Sequence, residues 1–128
     1  MVSIDTNILV RLLTGDDKAQ AAKAKRLFAR EAVYITKTVM LETEWVLRYA
    51  YALKAEDIAT AFTLLLGQHN VAVEDGHHVA QAVHFLKNGM DFADALHLTC
   101  SQGHDFVTFD RKFKTRARHA GLDNVRLL

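Results

Sequence analysis

The chain has 128 residues, half of them apolar and about a quarter charged, a composition that excludes a disordered polyelectrolyte and suits one folded domain. Its 16 Lys and Arg against 15 Asp and Glu leave a net charge of +1, so overall charge says nothing about nucleic acid and only local clustering can.

Val2–Asp5 reads as a short strand, and Thr6–Leu13 as a short helix stopped by Thr14 and Gly15. Asp5 and Arg11 break up this apolar start and no basic segment precedes it, so it is not a secretory signal. Asp16 and Asp17 open an Ala/Lys/Arg-rich helix to about Glu31, and Val33–Ile35 is a second strand. Thr38 is the expected cap of a long helix to about Leu53. Lys54–Asp57 opens another helix that ends at Leu66 and Gly67. The apolar run from Ala59 to Gly67 is broken by Thr60 and Thr63 and falls far short of the roughly 18 residues of a membrane span.

Val71 and Val73 mark a third strand, followed by a helix from His78 to Lys87 that stops at Asn88–Gly89. Asp91–Gln102 forms the next helix, stopped by Gly103. Within it lies Cys100, the one cysteine, which excludes an intramolecular disulfide and fits a reducing compartment. Phe106–Phe109 is a fourth strand, a basic helix runs from there to His119, and Asn124–Leu128 is a short fifth strand. There is no proline and no Gly/Ser linker, so residues 1–128 are expected to form a single domain, cytoplasmic and without a membrane partner. Strands alternating with helices point to an α/β fold, a parallel sheet covered on both faces.

Acidic residues recur where strands give way to helices: Asp5 in IDTN, Asp91 and Asp94 in DFADALHL, and Asp110 in VTFDRKF. Each has an ordinary reading as a helix cap or as an acid favoured by the helix dipole. Glu42 does not. At about 100° per residue it shares a side of its helix with Trp45, Val46, Tyr49 and Leu53, a stripe that reads as facing the core. Glu44 points the other way and sits one turn before Arg48, as a solvent-exposed i,i+4 pair would. A buried carboxylate has to be protonated, paired or bound to a cation. In an open parallel sheet, ligands bind beyond the carboxyl ends of the strands, where Asp5 and Asp110 lie. Carboxylates sharing such a crevice repel one another, and an all-oxygen donor set favours Mg²⁺ or Mn²⁺ over zinc.

MVSIDTN, TVMLETEWVL, DFADALHL and VTFDRKF, in that order and spacing, resemble the PIN-domain nucleases and, more narrowly, the VapC-type ribonuclease toxins of bacterial toxin–antitoxin pairs. The likeness covers nearly the whole chain. Any one motif is weak, but the four in sequence are specific. The resemblance implies a PIN-like three-layer α/β/α fold with a central parallel sheet of about five strands flanked by helices. It also implies Mg²⁺- or Mn²⁺-dependent hydrolysis of RNA phosphodiester bonds.

Carried over residue by residue, the family's acids fall on Asp5, Glu42, Asp94 and Asp110, with Asp91 a fifth contributor or only a cap. Asp5, Glu42 and Asp94 would be metal ligands, and Asp110 would bind a second ion or orient the attacking water. Thr6 and Thr108 fall where the family often has hydroxyls near the metal. The resemblance further implies a homodimer, an RNA substrate and a small cognate antitoxin protein.

Carboxylates repel RNA, so attraction must come from elsewhere. Arg111, Lys112, Lys114, Arg116 and Arg118 put five cations directly after Asp110, either as a solvated helix face or as a phosphate-contacting rim. Arg11, Lys18, Lys23, Lys25 and Arg26 are a second, weaker run. The seven histidines show no zinc spacing, and His97, the one near a site motif, is given no role. Trp45, Tyr49 and Tyr51 read as core or dimer-interface residues, with base stacking the less common use.

Competing classes fit less well. A haloacid-dehalogenase-like phosphatase would want an acid two residues after Asp5, where Asn7 stands, and a receiver domain would want an early acidic pair and a late Lys. A metal-dependent phosphohydrolase on another substrate, or a non-catalytic PIN-type RNA- or protein-binding module, remains the alternative.

Overall fold

The first residues set a pattern that the chain repeats: a short strand, a turn closed by a polar side chain, a helix. In the computed structural model, which describes residues 1–128, Val2–Ser3 form β1 and Thr6–Thr14 form α1. Asp5 caps that helix by accepting from the Ile8 amide at 3.1 Å. Gly15 ends it in the left-handed conformation (φ 69°) with its N–H on the Arg11 carbonyl. Lys18–Arg30 follow as α2, capped by Asp17, then Val33–Ile35 as β2 and Lys37–Tyr49 as α3. Ala55–Leu66 are α4, Val71–Val73 β3, Gly76–Lys87 α5 and Phe92–Thr99 α6. Phe106–Thr108 are β4, Arg111–His119 α7 and Val125–Leu127 β5.

All strand pairs are parallel. β2 lies between β1 and β3, with Val33 opposite both Val2 and Val71, and β4 pairs β5 with Phe106 opposite Val125. Five parallel strands are therefore present, hydrogen-bonded as a group of three and a group of two. No strand exceeds three residues, so every ladder is short. Leu9, Val33, Ile35, Met40, Leu47, Ile58, Phe62 and Phe92 have no exposed surface and anchor one core, in which the Phe62 and Phe92 rings meet at 5.6 Å. No helix is long and apolar enough to cross a membrane.

Several boundaries differ from expectation: β1 ends at Ser3 rather than Asp5, α5 begins at Gly76 rather than His78, β4 ends at Thr108 and β5 spans Val125–Leu127, and the larger differences lie in α3 and α6. Thr36, not Thr38, caps α3 by accepting from the Val39 amide at 3.3 Å. The helix ends at Tyr49 rather than Leu53, because Ala52 takes a left-handed conformation (φ 53°) and the Leu53 amide turns back to the Leu47 carbonyl. α6 stops at Thr99, three residues before Gln102.

The main correction concerns which side of α3 is buried. The stripe that faces the core is Met40, Thr43, Glu44 and Leu47. Glu42 is exposed, as are Trp45 at 57% and Tyr49 at 62%, their rings 5.1 Å apart on the outer face. The angular relation between Glu42 and the aromatic residues is as expected, but the helix is turned so that they look outward. Glu44, expected in water, is 1% exposed. Trp45 and Tyr49 are not core residues. Tyr51 is half-buried, its hydroxyl donating to Asp16 at 2.8 Å.

Candidate active site

Asp5 and Asp110 are placed by the same local device. Each follows a short strand in extended conformation and caps the next helix. Asp110 Oδ1 accepts from the amides of Lys112 and Phe113 at 2.9 and 3.1 Å. In both residues only Oδ1 is engaged, and nothing in the protein bonds Oδ2. The Thr108 hydroxyl accepts from the Asp110 amide at 3.0 Å and so shapes the turn that presents this carboxylate.

Glu42 is reached from α1. The Thr6 hydroxyl, at the first position of that helix and itself buried, donates to Glu42 Oε1. This contact joins residues 36 apart in sequence and sets Glu42 beside the residue that follows Asp5. The start of α3 is fixed from the other side. The Lys37 amide donates to Glu74 Oε1 at 2.9 Å, and the Lys37 ammonium meets Asp75 at 2.6 Å.

Asp94 stands in the first turn of α6, half-buried, and its carboxylate has no hydrogen bond or ion pair within the protein. Burial pushes its carboxyl above the usual aspartate value, and the like charges of Asp91 and Asp110 add to the rise. His97 and Arg116 act the other way. Asp94 and Asp110 are thus within electrostatic reach of each other. Glu42 is joined to the Asp5–Thr6 corner through the Thr6 hydroxyl, and Asp94 senses the charges of Asp91 and Asp110.

Asp91 behaves differently from these four. Its Oδ2 accepts from the Asp94 amide at 3.3 Å, and its Oδ1 lies 3.1 Å from Arg48 Nη1. Arg48 in turn places Nε 3.0 Å from Glu44 Oε2 and donates from Nη2 to Oε1 at 3.1 Å. Burial pushes the Glu44 carboxyl up, with Asp91 adding to this and Arg48 opposing it. The Glu44–Arg48 pair, expected in water, is buried at its glutamate, and nothing in the spacing of the sequence marks its reach to Asp91. The apolar Met40 and Leu47, seven residues apart with Glu44 between them, were the available signal of that burial.

The cations divide between surfaces. On α7, Phe113 and Ala117 are buried and the basic residues fan around the other sides. Arg116 bears on Asp94, whereas Lys114 and Arg118 border a shallow depression beside Asp123 and Val125. Of the second run, Arg11 and Lys23 border an open cleft of about 450 Å³ with Asp5 and Asn7. Arg11 is already engaged there by Asp16 and the Tyr51 hydroxyl, at 3.4 and 3.1 Å.

A hard divalent cation fits the chemistry of this donor set. The donors are all oxygen, each of Asp5, Glu42, Asp94 and Asp110 keeps at least one carboxylate oxygen without a protein partner, and the ionised form of Asp94 is disfavoured by its surroundings. No group of three or more His, Cys, Asp or Glu side chains is drawn together closely enough to cage an ion.

Comparison with known proteins gives two likenesses. The model of the PIN domain family matches residues 2–119. The crystal structure of VapC20 from Mycobacterium tuberculosis, a sarcin–ricin loop cleaving toxin, is similar over 98% of this chain and 99% of that one, with 25% sequence identity and a TM-score of 0.46. No curated protein matches the sequence.

Proposed function

The chain belongs to the PIN-domain family, and from that premise we propose that it is a Mg²⁺- or Mn²⁺-dependent endoribonuclease, the toxin of a VapBC-type pair. One observation carries the reading. Asp5, Glu42, Asp94 and Asp110, the acids the family motifs single out, each keep a carboxylate oxygen that no protein group uses, while Asp91 and Glu44 are engaged by Arg48.

Asp5, Glu42 and Asp94 would hold the ion, with Asp110 serving a second ion or orienting the attacking water. A bound Mg²⁺ or Mn²⁺ supplies an acidified water and offsets charge on the scissile phosphate. The protein's own part is orientation. The helix-cap bonds fix the Asp5 and Asp110 rotamers, and the Thr6 hydroxyl fixes Glu42. Arg116, the cation bearing on Asp94, contacts the RNA backbone, and Arg111, Lys112, Lys114 and Arg118 add diffuse attraction along α7. The whole of residues 1–128 acts as one domain. It works in the cytoplasm as a homodimer and is held inactive by a small cognate antitoxin. These partner assignments rest on the motif resemblance.

Purified protein free of antitoxin should cleave RNA with Mg²⁺ or Mn²⁺ and stop when EDTA is added. It should lose activity in Asp94→Asn with its circular dichroism unchanged. RNA binding without cleavage under any divalent ion would make the chain a binding module. Hydrolysis of a small phosphoester but not of RNA would make it a phosphohydrolase of another kind. Deleting a small reading frame just upstream should render the gene toxic, and a harmless deletion removes the toxin assignment.

A further inference from the structure

The buried face of α3 carries a charge that the proposed chemistry does not use. Glu44 is 1% exposed and paired with Arg48, whose Nη2 donates to Oε1 at 3.1 Å while Nε lies 3.0 Å from Oε2 without forming a hydrogen bond. The third nitrogen, Nη1, lies 3.1 Å from Asp91 Oδ1, and the other oxygen of Asp91 accepts the amide of Asp94 at 3.3 Å. The four residues form an unbroken run from the core of one helix to the first turn of another.

We propose that Arg48 is a positioning residue: anchored by Glu44, it holds Asp91 and through it fixes the first turn of α6, where the Asp94 carboxylate stands. Three features of the run support this. Both oxygens of Asp91 are engaged, so Asp91 acts as brace and cap and not as a ligand. A planar guanidinium can present Nη2 to Glu44 and Nη1 to Asp91 from one rigid group, and a lysine ammonium on its flexible stem cannot. Arg48 is also six residues beyond Glu42, about 9 Å along the helix axis at 1.5 Å per residue. The bridge therefore sets α3, with Glu42, in register against α6, with Asp94. Buried ion pairs add little net stability over apolar side chains of the same size, so stability alone does not account for this one.

The inference rests on Asp94 being a metal ligand, and its test separates that premise from the bridge itself. Arg48→Met alone would strand the buried Glu44, so it is made together with Glu44→Gln. Asp91→Ser is the gentler second variant, keeping a capping oxygen but losing the reach to Arg48. Amide hydrogen exchange in metal-free protein should show the Asp94 amide exchanging several-fold faster in the Glu44→Gln/Arg48→Met protein, with Leu9 and Phe62 unchanged. Titration calorimetry with MnCl₂ should show affinity reduced about 10-fold in either variant, the cost expected when a group that orients a metal ligand is lost. Combining all three substitutions should weaken Mn²⁺ binding no further, because Arg48 acts through Asp91. In RNA cleavage, kcat should fall while KM holds, and Arg48→Lys should recover little.

Parental exchange at Asp94 together with parental Mn²⁺ affinity in both variants overturns the proposal. So do effects that multiply in the combined variant, since Asp91 would then be a ligand in its own right. If the parent protein cleaves no RNA, the nuclease reading fails while exchange and titration still judge the bridge. If the parent binds no Mn²⁺, Asp94 is no ligand, and unchanged exchange at its amide removes the bridge as well.

Discussion

At the scale of single residues, capping and ligation are not alternatives. Asp110 uses one oxygen on two amides and leaves the other free, and Asp5 does the same with one amide. The two roles come apart by substitution. Asp110→Ala removes both and should cost about 1 kcal/mol of stability in urea unfolding, the usual loss for a cap. Asp110→Asn keeps the cap within a few tenths of a kcal/mol, yet should lose RNA cleavage as fully as the alanine variant. Asp94 makes a different test. Its folded-state carboxyl is raised above the ordinary value of 3.8, so stability is lost as pH rises from that value through the folded one. Asp94→Asn should therefore melt above the parent at neutral pH and with it below pH 3.8, while activity falls at least the roughly 100-fold that losing even a supporting partner can cost. The cap at Asp5 was legible in IDTN because Asp before a helix has few other uses. The burial of Glu44 was not legible, since Glu42 and Glu44 lie two residues apart on opposite faces and local sequence does not say which face meets the core.

At the scale of elements, α3 shows what periodicity does and does not fix. The spacing correctly puts Glu42 with Trp45 and Tyr49, and Glu44 on the other side with Leu47. Large aromatic residues read as core, but Met40, Thr43 and Leu47 fill the interior instead, and the ring pair is left outside. The order of elements was readable throughout, because each strand is bounded by a turn or cap residue. Strand extents and the division of the ladders into three and two were not, since they depend on partners distant in sequence. Burial gives the helix an energetic signature. Arg48→Met alone leaves Glu44 without its partner and should cost about 3 kcal/mol at neutral pH, the low end for a broken buried pair because Arg48 is partly exposed. The cost should shrink in acid as Glu44 takes up a proton, which urea titrations at two pH values would reveal.

At the scale of the whole molecule, near-neutral charge conceals an uneven distribution. Acids gather after the ends of strands and cations fan around α7, with Arg116 alone bearing on Asp94. RNA binding measured by anisotropy in EDTA should weaken with salt. Arg116→Ala should lower the slope of log affinity against log salt by about one, as loss of one phosphate contact does. Lys114→Ala and Arg118→Ala, on a different surface, should change it less. The lone tryptophan reports on assembly. Trp45 is 57% exposed in the single chain, so the proposed homodimer, formed through this face, should shift its emission to the blue with rising protein concentration, and Tyr49→Glu should abolish the shift.

The cap bonds at Asp5 and Asp110 have a consequence for descent. An aspartate becomes an asparagine by one base change, and asparagine caps a helix about as well. Because the fold asks of these residues only a capping oxygen, while the proposed chemistry asks for the charge, such a change should silence the catalyst and leave the architecture whole. A folded protein that has kept its surface and lost its reaction is one mutation away. The step from the proposed nuclease to a binding protein would then need no unfolded intermediate.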